Sequence, residues 1–374
     1  MVLNSIFGKQ MTVGIDIGAN SIKVVEVEPA GEGWQLASAA VVNTPPESVK
    51  DGIITDVPEV AGQIKQALKE AGVKATGAIA AISGSQVIVH QVDFPKMPAE
   101  VLRKSIKFEA ARFISSSMED SVVEFEILGD AEEPGKMNVM LVAAPRDMVE
   151  SRVNAIEAAG LEPLVIDVEA FALIRSLVDF NASDTFTHKG IALIDVGASH
   201  TDVNIVKGGE FALTRNIPIA GDAFTNAIKS MTGVGFEEAE KMKLEMTSEA
   251  SLAELAEGET DNQCWRVVNP LVDELIREIR RSIHFYQSQF PEGSSDAAIN
   301  EVVLTGGSAR MPGIADYLSS NLNMPVEIAS VFNQTAVGTG NMPSQFVEDH
   351  GPVLAVGTGL AVKEFLPEPG KQAA

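Results

Sequence analysis

One pattern of apolar and polar positions occurs twice along the chain. An apolar run ends in Asp, a Gly-Ala pair and small polar residues follow, and a second apolar run begins: "VGIDIGANSIKVVEV" at 13–27 and "ALIDVGASHTDVNIV" at 192–206. Val and Ile at this density on both sides of a short polar turn predict two buried strands joined as a hairpin. After the first hairpin, strands are expected near 34–42 and at 78–83. Between them Val60, Ile64 and Leu68 recur at helical spacing and Gly72 supplies a stop, so 56–72 reads as a helix.

From 86 to 167 the pattern runs strand, helix, strand, strand, helix, strand, the split β-α-β-β-α-β order. Its outer strands either complete that unit or belong to the sheet of the flanking domain. The first helix puts Leu102, Ile106, Ala110 and Phe113 on one stripe, and the second puts Val149, Val153 and Ile156 on another. After the second hairpin come a strand at 210–217, a helix at 221–232 and the helical "FEEAEKMKLEM". Residues 247–262 are acidic and weakly patterned, and read as an exposed insertion. A long amphipathic helix follows, with Leu275, Ile279, Ile283 and Tyr286 on one face. The strand "EVVLTGG" at 301–307 leads to the helix "MPGIADYLSSNL", with Pro312 expected in its first turn, and to the apolar segments "PVEIA" and "VLAVGTGLAV". Helices alternating with strands in both halves predict two α/β domains of similar design.

Composition narrows the class. A chain of 374 residues can bury two or three cores, and a hydrophobic fraction of 45% fits an ordered α/β protein rather than a disordered one. The net charge of −24 argues against sequence-independent nucleic-acid binding, which needs Lys and Arg to displace counterions. The single Cys264 excludes an intrachain disulfide and a multi-cysteine metal site, and suits a reducing compartment. "MVLNSIFGKQ" lacks the apolar core of a signal peptide, and no run approaches the roughly 18 apolar residues of a membrane helix, so a cytoplasmic protein is expected. Val2, Leu3, Ile6 and Phe7 either touch a membrane or partner, or fray.

The paired hairpins point to phosphate chemistry. Gly18 and Gly197 permit a tight turn, and Ala19 and Ala198 keep the backbone approachable. Asn20, Ser21, Ser199, His200 and Thr201 add donors, and Lys23 adds a positive charge. Asp16 and Asp195 would repel phosphate directly, and make sense as ligands, through water, of a Mg²⁺ that keeps its hydration shell. Two such hairpins, one per domain, would clamp a polyphosphate. The bland alternative is an ordinary hairpin with Asp capping the turn. A third element, Gly306-Gly307 at the end of a strand, offers backbone to a base or sugar; Gly306→Val is expected to obstruct that ligand and leave the fold intact. His200 either contacts phosphate or packs, and Asp202 either helps hold metal or is solvated.

In order and content these elements resemble the actin-like ATPase superfamily, which includes actin, Hsp70, sugar kinases, FtsA and MreB. The hairpins resemble its two phosphate loops, and "LTGGSA", with Gly306, Gly307 and Ser308, its adenosine motif. "DVEAFAL" and "AVGTGLAV" resemble its connecting helices, and "IAGDAFTNAIKSMTGVGFEEAEKMK" the segment that contacts ribose and base, which carries over to Glu240 and Lys243. A surface helical pair is the alternative for those two. Within the superfamily, "KDGIITDVPEVAGQIKQAL" and "VLTGGSARMPGIADYLSSNLNMPVEIASVF" resemble the PilM family of type IV pilus assembly proteins.

The resemblance implies an actin-like ATPase fold, two RNase H-like domains around a nucleotide cleft, with an inserted α+β subdomain as in FtsA and PilM. The first domain would comprise 11–94, 166–190 and 340–365, the insertion 95–165, and the second domain 191–339. Implied with it are ATP and Mg²⁺, a PilN-like inner-membrane partner offering an N-terminal cytoplasmic peptide to a groove between 85–115 and the sheet of the first domain, other pilus platform proteins, and self-association as an open alternative. The protein would sit in the cytoplasm, peripheral to the inner membrane through these partners. Glu169 and His200 are the candidates for positioning an attacking water, so hydrolysis is expected to be slow at most. A filament-forming division protein like FtsA and a sugar or small-acid kinase on the same fold remain as alternatives.

Overall fold

The computed structural model describes residues 11–30, 33–112, 117–179, 189–246, 260–291, 293–332 and 337–365. The expected insertion at 247–262 lies almost wholly outside these residues, as do Phe113 and the first ten positions. The chain divides into two compact units, one of Met1–Val27, Ala37–Ala172 and Leu360–Ala374, the other of Glu28–Leu36 and Leu173–Gly359.

In the first unit, β1 (Thr12–Ile17) and β2 (Ser21–Ala30) form the first predicted hairpin, with Asp16 opposite Lys23 and Ile17 opposite Ile22. Next to them lie β3 (Gly33–Asn43) on one side and β6 (Gly77–Ile82) on the other, with the small β4 (Val49–Lys50) and β5 (Ile53–Ile54) pairing apart. Helix α1 (Val57–Ala71) starts where Asp56 accepts the Glu59 N–H and stops, as read from the sequence, at Gly72 in the left-handed conformation. Val60, Ala61, Ile64 and Ala67 bury its inner face in the core beneath β1 and β2.

The stretch 86–167 does not fold as one split β-α-β-β-α-β unit. Strands β7 (Ile88–Pro95), β8 (Ser121–Asp130) and β9 (Lys136–Pro145) make an antiparallel sheet of order β7-β9-β8. Helix α2 (Ala99–Ala110) covers it with Leu102, Ile106 and Ala110, which pack with Phe94, Val139 and Leu141. Helix α3 (Arg146–Ala159) instead lies against α1, and β10 (Glu162–Val168) pairs in parallel with β6, Asp167 opposite Ala81. The small residues Ala155 and Ala159 allow the close helix approach, and Ile156 joins the core of β1 and β2 rather than the three-stranded sheet. A following helix, α4 (Glu169–Ile174), runs into a five-residue π-helical turn at 175–179.

The second unit is built on the sheet β13-β12-β11-β14-β15. Its strands are β11 (Gly190–Val196), β12 (Thr201–Lys207), β13 (Glu210–Ile217), β14 (Glu301–Thr305) and β15 (Val326–Ile328). Helices α5 (Gly221–Thr232), α6 (Phe236–Glu245) and α7 (Thr260–Gln287) follow the second hairpin. Leu275, Ile279, Ile283 and Tyr286 are buried on one stripe of α7, as the periodicity predicts. Helix α8 (Ile314–Leu322) begins after Gly313, whose left-handed backbone (φ 75°) caps it, so Pro312 precedes the helix rather than entering its first turn. Tyr317 of α8 donates to Asp273 of α7 (2.6 Å) and meets Trp265 edge-on. The segment β16 (Val337–Gly338) pairs with Trp34 and Gln35 in the tip of β3, and α9 (Ser344–His350) and α10 (Ala355–Ala361) close the chain. Among the described residues no helix is long and apolar enough to cross a membrane.

Candidate functional site

The first hairpin turns at Gly18, whose N–H donates to the Ser21 carbonyl (3.1 Å). The turn is pinned from the side by Thr44: its Oγ1 donates to the Gly18 carbonyl (2.7 Å) and its N–H to the Asn20 carbonyl (3.0 Å). Asp16 is buried below the turn and pairs with Lys23 at 3.0 Å, so Lys23 neutralises the carboxylate here. A second cation stands behind it. Arg152, fully buried on α3, donates to the carbonyls of Ala81 (2.7 Å), Met148 (3.3 Å) and Gly52. Burial lowers its pKa to about 10, against the opposing pull of Glu169 and Asp16, which places both carboxylates within its electrostatic reach. Sequence reading passed over Arg152, yet it occupies an apolar-periodic position with Met148, Ala155 and Ala159. A charge on a core stripe was the available signal.

The second hairpin sets Asp195 opposite Asp202 across β11 and β12. Asp202 is not solvated: it is buried, accepts from Asn216 Nδ2 (2.8 Å) and faces His200 Nε2 (3.3 Å). With Nε2 donating to that carboxylate, Nδ1 is left to accept from the Ser199 hydroxyl at 3.0 Å. His200 therefore bridges Ser199 and Asp202. Thr201 is fully buried and gives its hydroxyl to the Ile219 carbonyl (2.7 Å), so it is not a free donor for phosphate in this structure.

The backbone of this turn is fastened to the adenosine-like segment. The Gly197 carbonyl accepts from the Ser308 hydroxyl (3.0 Å) and from the Gly221 N–H (3.1 Å), and the Ala198 carbonyl accepts from the Asp222 N–H (2.8 Å). Gly221 opens α5 here because a Cβ would strike Ser308 Oγ and come within 3.1 Å of Lys243 Nζ. Lys243 is 2% exposed and donates to Glu240 (2.6 Å), Thr225 (3.0 Å) and the Gly221 carbonyl (3.3 Å), which uses its three protons. The pair Glu240–Lys243 is thus a strut of a buried ammonium and a half-buried carboxylate, and not a surface pair. Asp222, at the same place, has its pKa raised by burial, with Lys243 opposing and Glu240 reinforcing.

Gly306 ends β14 at φ 94°, ψ 171°, a conformation close to glycine-only. A Cβ there would meet the Asp195 carboxylate and lie 2.6 Å from the Val196 carbonyl oxygen, so Gly306→Val cannot leave the fold intact as expected from sequence. Gly307 differs: it is exposed, and a Cβ would meet nothing within 4 Å.

Each hairpin therefore gathers its predicted residues: Asp16, Gly18, Asn20, Ser21 and Lys23 in the first unit, and Asp195, Gly197, Ser199, His200 and Thr201 in the second. Among the described residues the N–H groups of Ala19, Asn20, Ala198 and Ser199 donate to no backbone carbonyl. Unpaired turn N–H groups over a half-buried or buried carboxylate fit a phosphate with a hydrated cation.

A family model described as the type IV pilus assembly protein PilM matches residues 14–365. The solved "PilM-PilN type IV pilus biogenesis complex" is similar at 27% identity and a TM-score of 0.83, over 96% of this chain and 100% of that one. The cell division protein FtsA of Pseudomonas aeruginosa is 27% identical over 87% of this chain and 84% of its own length. An MreB of Spiroplasma citri, solved with AMPPNP bound, shares the fold at 13% identity and a TM-score of 0.52, over 96% and 97% of the two chains.

Proposed function

Because the chain belongs to the family of the type IV pilus assembly protein PilM, we propose that it is a nucleotide-binding scaffold of a type IV pilus or of the related type II secretion machinery. The observation that carries this reading is the likeness to the PilM–PilN complex over 96% of the chain. The paired Asp-Gly hairpins support the nucleotide part of it. The proposed ligand is Mg²⁺-ATP. Asp16 in the first unit and Asp195 in the second are its metal-orienting carboxylates, and the turn N–H groups with Ser21, Ser199 and Lys23 are its phosphate donors. Gly306, Gly307 and Ser308 offer backbone to base and ribose, with Glu240 and Lys243 bracing that wall. Glu169 and His200 are the groups proposed to position water. Bound nucleotide would supply differential affinity for one conformation and so bias partner binding.

The proposed partner is a PilN-like inner-membrane protein, which would hold this chain at the cytoplasmic face of the membrane through its N-terminal peptide. The proposed contact is at 85–115, where Val101 and Phe108 of α2 are 51% and 79% exposed. A synthetic peptide from the partner's cytoplasmic end should bind with a micromolar Kd, about −8 kcal/mol. Phe108→Ser should weaken it at least tenfold. A peptide that does not bind removes the partner assignment, and one that binds Phe108→Ser equally well moves the contact elsewhere.

A further inference from the structure

The first unit carries a groove of about 730 Å³, lined on one side by residues 41–46 at the end of β3 and on the other by α1. It shares no residue with 85–115. The Thr44 N–H bonds back to Asn20, which makes Thr44 an inward-paired position next to β2. The alternation of an antiparallel ladder then turns the N–H and C=O groups of Asn43 and Val41 outward, toward the groove. Strand β16 reaches β3 only at Trp34 and Gln35, so among the described residues no strand takes these outward groups. A free edge of this kind is a template for an added strand.

The opposite wall is a single stripe of α1: Glu59, Gln63, Gln66 and Glu70, spaced four, three and four residues apart. Its ends are roughly 16 Å apart along the helix, and a strand of five residues spans about 17 Å. Both ends of the stripe are acidic, its middle is amide, and the whole chain carries a charge of −24. We propose that this groove docks an extended basic segment of a partner protein, which adds to the edge of β3 and sets a Lys or Arg against Glu59 and against Glu70. The edge is already ordered, because Thr44 is fixed to both Gly18 and Asn20, so little conformational freedom is lost in docking. Pro45 and Pro46 end the template and set its register.

The probe is a fluorescein-labelled Lys-Val-Thr-Val-Lys peptide with blocked ends, titrated with the full chain by fluorescence anisotropy at low salt. Saturable binding is expected, with amide exchange at Val41 and Asn43 slowed in the complex. Affinity should fall at least tenfold in a Glu59→Gln, Glu70→Gln double variant whose thermal melt matches the parent. A peptide methylated on its valine nitrogens, which cannot form the ladder, should lose binding to the unaltered protein. The proposal is overturned if the peptide does not saturate up to millimolar concentration, if Glu-Val-Thr-Val-Glu binds as tightly, or if neither the double variant nor N-methylation weakens it.

Discussion

Adding one methyl group at two adjacent glycines, Gly306→Ala and Gly307→Ala, should give opposite results. At Gly306 the backbone sits at φ 94°, ψ 171°, where a side chain costs about 1–3 kcal/mol in strain. The new Cβ would also lie 2.6 Å from the Val196 carbonyl oxygen and 2.8 Å from its carbon. Those are backbone atoms at the end of β11 and cannot rotate away as a side chain would, so overpacking adds about 1–3 kcal/mol. The total, roughly 2–6 kcal/mol, is a large share of the 5–15 kcal/mol typical of a folded protein. At Gly307 the Cβ enters open space. The change there should stay within about 0.5 kcal/mol, or stabilise slightly by restricting the unfolded chain. Urea unfolding followed by tryptophan fluorescence reads this unit directly, because both tryptophans, Trp34 and Trp265, lie in it. A Gly306→Ala protein within 1 kcal/mol of the parent would refute the reasoning, as would a Gly307→Ala protein destabilised by more than that. The pair also separates folding from ligand binding: Gly307→Val should lower ATP affinity while its urea midpoint stays put.

Lys23→Met leaves the Asp16 carboxylate buried without its 3.0 Å partner and should cost about 3 kcal/mol, whereas Asp16→Asn with Lys23→Met should recover much of it. Strict additivity in that double-mutant cycle would show that the two do not act as a pair. Asp16→Ala and Asp195→Ala should each reduce ATP affinity at least tenfold, about 1.4 kcal/mol, by calorimetry in Mg²⁺ buffer; unchanged affinity in both would end the two-hairpin reading. Burial pushes the Asp179 carboxyl up to about 6, with Arg175 opposing and Glu210 reinforcing. A folded-state pKa above the unfolded one means that stability is full below about pH 4 and falls as pH rises toward about 6. Asp179→Asn should abolish that fall and raise stability at pH 7, by much less than the full shift because the residue is exposed and solvent screens its charge. Identical urea midpoints for parent and variant at pH 7 would contradict this.

What the sequence determined by itself is what depends on neighbours in the chain. Both hairpins are legible because a Val- and Ile-rich run, an Asp-Gly turn and a second such run are contiguous, and their pairing needs no distant partner. The stop of α1 is legible because Gly72 acts on backbone groups within one turn of itself. Together with the Gly306-Gly307 turn, these local devices carried the family resemblance. Tertiary structure alone decided the fate of β10 and α3: strand pairing is non-local, and nothing in "EPLVIDV" states whether it joins β9 or β6. It also decided which polar groups lose their water. Lys243, Thr201 and Asp202 read as surface or ligand-facing groups in sequence, yet each is buried, because the segment from β13 to α6 folds back on the second hairpin and brings together carbonyl, hydroxyl and amide partners from 14 to 22 residues apart. Removing a polar side chain from water requires such partners to be in place, and only the folded chain brings them there.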